Sequence, residues 1–547
     1  MPKKASREAR ELFTKGYTAP TERKEPKVIE KTSRKEPGQP PVKAAGDGAA
    51  RKEKDPGHEV LVRGYLEERR KMKPELVNKS LHYSTIEGAF NSASSTIATA
   101  YVTPYAVALN ASNAEVGVLN AAFHLAATLS QVPGALLTRR MSRKHIWAFS
   151  TIISRLAWVP VVLLPFLGGT SVVALIVCYA IYSFFNSLRT PAWTSLIGDI
   201  VPDEMRGRYF GRRNMIMGLA SLATILAVGW LITTTGFQAI FALSIVLGLL
   251  SVAFFLRIYE LPLRTGYHYR HAFSLLPRET LNSLKLNKNL VMFTLFLSGM
   301  SFATYVAAPF FAVYMLVDLK LSYLWYAVIV AFGALAGIGA QPHWGKLADR
   351  FGERKIIMLT GVMVCLIPFF YLFIRSPGEV LLVEGFSAFA WAGFELAGFN
   401  YILAVTPTEK RPTYVANHAF FKGLAIVLGT LAGGVLAETF KSSSIAWLYG
   451  LQIVFLISLV LRLLSLTFIT KLGEVKPKED VVPIRYVFWH AIGIEPAKGL
   501  VHSVAYTFRY PYELKKLKER MMRDIEHFEE QVKRKTRQSM DGFGGPG

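Results

Sequence analysis

Residues 345–355 read Gly-Lys-Leu-Ala-Asp-Arg-Phe-Gly-Glu-Arg-Lys, a basic loop between two long apolar segments. The residue types predict a tight reversal. Gly345 would let two helices approach closely. Asp349 would cap a helix N-terminus and pair with Arg350 or Arg354.

The segments on either side belong to a series. The chain is 547 residues long and 51% hydrophobic. Its apolar residues gather into runs of about 20, the length that crosses a hydrocarbon core ~30 Å thick. Twelve runs follow: 84–109, 115–138, 145–167, 171–190, 212–235, 237–258, 288–316, 322–345, 355–375, 379–402, 414–438 and 444–470. The first lies behind a long polar stretch, so none reads as a cleavable signal peptide. Cys178 and Cys365 fall inside runs and form no disulfide framework or metal spacing.

The net charge of +24 would suggest nucleic acid in a soluble protein. Its placement argues for a membrane instead. Loops after even-numbered runs carry clusters such as Arg139, Arg140, Arg143, Lys144 and Arg206, Arg208, Arg212, Arg213; loops after odd-numbered runs carry only Lys320, Arg375 and Lys441. By the positive-inside rule both termini and the basic loops are cytoplasmic, in a multi-pass protein of the plasma membrane. No nucleic-acid partner is expected.

Residues 1–80 are rich in Lys, Glu and Pro and read as a disordered basic tail. Residues 259–287 read as a cytoplasmic linker between 84–258 and 288–470. Within 471–547, an aromatic segment at 484–510 suits the membrane surface, and 511–537 shows a charged helical pattern. The two halves match each other. At an offset of 205, Ala98-Thr99 meets Ala303-Thr304, Pro104 meets Pro309, and Gly218-Leu219 meets Gly423-Leu424. At an offset of 211, Gly134, Arg139, Arg143 and Lys144 meet Gly345, Arg350, Arg354 and Lys355.

The 345–355 loop resembles the G-x-L-a-D-r-x-G-r-k loop of major facilitator superfamily transporters. Pro202-Asp-Glu-Met-Arg-Gly-Arg208 is similar to that family's loop between spans four and five. The resemblance covers about 84–470. It implies an all-α integral membrane protein with twelve transmembrane helices in two six-helix halves, a parallel repeat. It also implies that Gly345, Asp349, Arg350, Gly352 and Arg354 form a gating loop. The first-half copy departs from the pattern: Thr138 replaces the acidic residue and Met141 the second glycine.

The same resemblance implies a central cavity lined mainly by the first and fourth spans of each half. Polar residues inside spans are costly and tend to face wet or paired interiors. Span four gives Tyr179, Tyr182, Asn186, Arg189 and Trp193 at helical spacing; span ten gives Glu384, Ser387, Trp391 and Glu395; span one adds Glu87, Asn91, Ser95, Tyr101 and Tyr105. Helix packing alone would also produce aromatic stripes. The expected cavity residues are Asn91, Tyr101, Tyr105, Tyr179, Tyr182, Asn186, Ser387 and Trp391. Glu87, Arg155, Arg189 and Glu395 are expected to couple or to pair. Glu395 lies about 24 Å along span ten at 1.5 Å per residue, and a carboxylate unpaired there would take up a proton. Three roles stay open for it: an ion pair with Arg189, proton coupling, or substrate contact. Arg155 sits near mid-membrane with Glu87 as its expected partner. His124 and Arg462 read as packing and bundle contacts.

There is no phosphate-binding G-x-x-x-x-G-K-[ST], so no ATP-driven pump, and no His-Glu-x-x-His. Drug–proton antiporters of the resembled family usually carry a Gly-Pro-rich motif in span five; span five here has no proline. Pro104 and Pro309 are expected bend points. The expectation is a monomeric carrier, not an enzyme, without cofactor or metal. It would move a small solute by rocking two halves, secondary active or facilitative, with protons as a candidate coupling ion. The rivals are a non-transporting receptor or accessory protein and a lipid or amphiphile translocase.

Overall fold

The computed structural model describes residues 72–138, 141–169, 171–202, 205–260, 288–406, 411–445 and 447–471. The readings of residues 1–71 and of the tail after Lys471, the 259–287 linker beyond Glu260, and Arg139, Arg140, Asp203 and Glu204 lie outside the described residues; residues 74–80, expected in the disordered tail, are helical instead.

Twelve helical spans cross the bundle among the described residues. Span one runs Pro74–Ala100 and continues as Val102–Ala108; it starts ten residues before the apolar run because Pro74 sets the first helical turn. Span two is Asn113–Leu137, opened by a reciprocal Ser112–Glu115 capping box. Span three runs Arg143–Leu156 and continues through Val159–Leu163 to a short 3₁₀ turn. Span four is split into Val172–Leu188 and Thr190–Ile200, with Pro191 just beyond the break. Spans five and six share Arg206–Phe255, broken at Gly236, whose φ of 79° suits a residue without a Cβ. The second half comprises Lys288–Val313, Tyr323–Phe351, Glu353–Tyr371, Pro377–Val405, Arg411–Thr439 and Leu451–Leu466. A two-stranded hairpin, Ser444–Ile445 with Leu448–Tyr449, occupies the first part of the run expected for span twelve.

Large apolar side chains stand on the outside of this bundle, including Phe149, Phe166, Trp230, Leu382 and Val435. A surface of that kind suits lipid and not water. The bundle therefore spans a membrane.

The halves meet at the end opposite the basic loops. There Gly117 of span two abuts Gly434 of span eleven, so that a Cβ on Gly117 would stand 2.6 Å from the Gly434 Cα. Gly229 of span five similarly abuts Ala327 of span eight. Pro104 has a specific part in this closure. Having no N–H, it leaves the Ala100 carbonyl without its helical partner, and the chain breaks at Tyr101. The freed carbonyl accepts the Tyr326 hydroxyl of the other half at 3.1 Å. The displaced Tyr101 donates its hydroxyl to the Ile225 carbonyl on span five and stacks edge-on against Tyr326.

Candidate functional site

A cavity of about 500 Å³ lies inside the second half. Span ten presents Glu384, Ser387, Trp391 and Glu395 to it, so the spacing of three and four residues does place these on one face. Span eight makes room for the first of them. Gly333 has no Cβ, and one added there would stand 2.9 Å from Glu384 Cγ. Glu384 makes no ion pair or hydrogen bond among the described residues. Across the cavity, Arg462 of span twelve donates from Nη1 to the Val364 carbonyl at 2.7 Å and from Nε to Ser458 Oγ at 3.2 Å. The Trp344 indole anchors span ten by donating to the Phe389 carbonyl at 2.8 Å.

Toward the basic end the cavity meets solvent. Glu395 is 59% exposed and accepts from Lys422 Nζ at 3.1 Å. The expected Glu395–Arg189 pair is thus corrected. Arg189 uses its donors inside the first half: Nε to the Asn186 carbonyl at 3.2 Å, Nη2 to Asn186 Oδ1 at 2.6 Å, and Nη1 to Thr151 Oγ1 at 2.9 Å. Its guanidinium also lies over the Trp147 ring. Repeat-related positions are related by symmetry, which does not bring them into contact.

The expected Arg155–Glu87 pair is corrected as well. Glu87 is 1% exposed and pairs with Arg213 of span five at 3.2 Å. Gly88 permits this, since a Cβ there would meet Arg213 Nη2 at 2.7 Å. Arg213 also donates to the Ser84 carbonyl and lies over the Trp193 ring. Arg155 instead donates from Nη2 to Asn91 Oδ1 at 2.9 Å and to Ser95 Oγ at 3.0 Å, threading past the bare backbone of Gly248.

The other expected cavity residues of the first half are buried among rings. Tyr105 touches Phe237 and Phe241; Tyr179 stacks on Phe123 at 4.5 Å; Tyr182 lies against Trp158. Of the residues expected to line the cavity or to couple, Ser387, Trp391 and Glu395 line this cavity.

The gating loop also differs in detail. A Cβ on Gly345 would be 3.9 Å from Leu396 Cδ2, an ordinary contact, so no helix approach depends on that glycine. Asp349 lies in the last turn of Tyr323–Phe351, not at an N-cap. The cap position of the following helix is Gly352, at φ 88°, without a side-chain cap bond. The loop is shorter than the apolar boundaries suggest, and the aspartate is absorbed into the helix before it.

One network was not foreseen. Arg143 pairs with Asp199 at the end of span four and with Glu260 after span six. Glu260 also accepts the Ser142 hydroxyl and the Arg143 backbone N–H at 2.7 Å, capping span three from the segment that follows span six. The available signal was an acid at the basic end of each of those spans.

Comparison with known proteins bears on the fold and the class. The family model of the Major Facilitator Superfamily matches residues 88–404 and 291–492. The multidrug resistance protein MdtG of Proteus mirabilis (strain HI4320) is 25% identical over 215 residues, 38% of this chain and 50% of its own length. The multi-drug resistance efflux pump PmrA of Streptococcus pneumoniae is 24% identical over 213 residues, 37% of this chain and 50% of its own. The chain thus spans about half the length of these relatives. Among solved structures, the nucleoside transporter NupG superposes with a TM-score of 0.59 at 16% identity, covering 73% of this chain and 100% of that one. A D-xylose-proton symporter gives 0.57 at 14% identity, covering 73% and 99%. At such identity these likenesses speak for the fold alone.

Proposed function

The chain belongs to the major facilitator superfamily of membrane transporters, and on that premise we propose that it carries a small solute by alternating access, with Glu384 as the proton-coupling group. The observation that supports this is the cavity: walled by one half, open toward the basic end, lined by a stripe of span ten, and holding a carboxyl, Glu384, that makes no ion pair among the described residues. Desolvation penalises the charged form of such a group, and a proton or a cationic group of the solute relieves the penalty. Glu395, by contrast, is solvated and already has a cation, Lys422, beside it. The halves close at the end opposite the basic loops. With those loops in the cytoplasm, the arrangement is inward-facing, in a plasma membrane with both termini inside.

The solute would first be found by a thermal-shift screen of the purified protein against a metabolite library, because a ligand that binds only the folded state raises its melting temperature. Uptake into proteoliposomes with and without an imposed pH gradient then tests the reading. Glu384→Gln should abolish gradient-driven accumulation and spare counterflow exchange. Full accumulation by that variant would remove Glu384 from the coupling role. Absence of any flux, with ligand binding intact, would favour a receptor, and movement of a lipid reporter would favour a translocase.

A further inference from the structure

The interior of the first half is unbalanced in charge. Arg155, Arg189 and Arg213 are 0%, 6% and 5% exposed, against a single buried carboxylate among the described residues, Glu87. Buried charge needs a partner or a full set of dipoles. Arg213 has Glu87, and Arg189 has Asn186, Thr151 and the Trp147 face. Arg155 is left short. Both of its hydrogen bonds leave from Nη2, while Nε and Nη1 are buried and bond nothing among the described residues.

Two neighbours share that condition. The Trp158 indole N–H and the Tyr182 hydroxyl are also buried without a hydrogen-bond partner among the described residues, and both residues are 0% exposed. The three side chains form one cluster: the Arg155 guanidinium lies 5.1 Å from the Tyr182 ring centre, and the Trp158 and Tyr182 rings are 5.2 Å apart. A guanidinium and an indole only donate, and a phenol can donate. Such a cluster is complementary to a group that only accepts, and its positive charge favours an anion.

We propose that Arg155, Trp158 and Tyr182 form an oxyanion subsite, and that the solute carries a carboxylate or phosphate group. This rests on the transport reading above and names its substrate class. Aromatic walls surround the subsite, with Trp158 stacked on Phe241 at 4.8 Å and Tyr179 beside Tyr182. Rings continue through Tyr179 and Phe123 to His124, which meets Tyr305 of the cavity wall in the other half. The cluster is fully buried in this arrangement, so on this proposal the anion is held at another stage of the cycle.

The test uses the full chain in nanodiscs, with benzoate, phenyl phosphate and the neutral isostere benzamide as probes. Arg155→Gln would also free Asn91 and Ser95, so the informative variants are Tyr182→Phe and Trp158→Phe. Each deletes one unpaired donor and keeps a ring. At least one anion should raise the melting temperature of the wild type while benzamide does not, and which anion does so separates carboxylate from phosphate. Each variant should weaken that anion about tenfold, the scale of one hydrogen bond to a charged group. Tyr182→Phe should melt at the wild-type temperature without ligand. Equal stabilisation by benzamide, no response to either anion, or wild-type anion affinity in both variants would overturn the subsite. Anion binding that depends on both residues in a protein showing no flux would sink the transport reading and leave the subsite. Flux of a solute that neither variant alters would do the reverse.

Discussion

The backbone N–H of Asn113, the first residue of span two, donates to the Glu438 carboxylate of span eleven at 2.9 Å, joining one half to the other. The Asn113 side chain adds a second bond, to the Ala437 carbonyl at 3.1 Å. A carboxylate at a helix N-terminus satisfies an orphan donor and opposes the positive end of the helix dipole. The contact has to break whenever this end opens.

Glu438→Ala should therefore favour opening at this end. Loss of a cap is worth about 0.5–2 kcal/mol, a shift of roughly 2- to 30-fold in population. Spin labels at Val118 and Val435, both exposed on these spans, should show a growing long-distance component. An unchanged distance distribution would remove Glu438 from the gate.

Glu395→Gln should be mild. The Glu395–Lys422 pair is partly exposed, 59% and 30%, and such pairs contribute about 0–1 kcal/mol. The melting temperature should stay within about 2 °C of wild type. A collapse in stability would mean that the carboxylate is buried in the working protein.

Glu87→Gln should be severe. It strands Arg213 in a site where the pair is almost fully buried, a loss of about 3–5 kcal/mol. The protein should yield little folded material by fluorescence-detected size exclusion. A second change, Arg213→Gln, should partly restore it, because the stranded charge is then gone. Equal yields for the single variant and wild type would contradict the burial.

Orientation can be read with impermeant thiol reagents, because Cys178 and Cys365 are buried and should stay silent. Cysteines at Ala111, Gly168 and Ser376 should label from outside intact cells. Those at Ser142 and Glu353 should label only after the membrane is opened. The inverse pattern would place the basic loops outside.

The number and order of spans were legible in the sequence because hydrocarbon thickness sets run length and basic loops punctuate the runs. So was the span-ten stripe, since Glu384, Ser387, Trp391 and Glu395 follow helical spacing on a single unbroken helix. Pro104 announced a break, because it lacks an N–H, but Pro309, expected to bend span seven likewise, lies inside the continuous Lys288–Val313 helix.

Pairing was another matter. Glu87 was expected to meet Arg155, and nothing along the chain put Arg213 ahead of it. The ranking depends on Gly88 and Gly248, which open lanes for Arg213 and Arg155 on neighbouring helices. The choice of Lys422 over Arg189 for Glu395 depends on which spans touch at that depth. By itself the sequence determined a twelve-span membrane protein in two similar halves and the faces its polar residues occupy, because periodicity and burial cost act along one helix at a time. Only the tertiary structure decided which charges meet, which end is closed and which donors are left unanswered, because those follow from the distances between helices far apart in the chain.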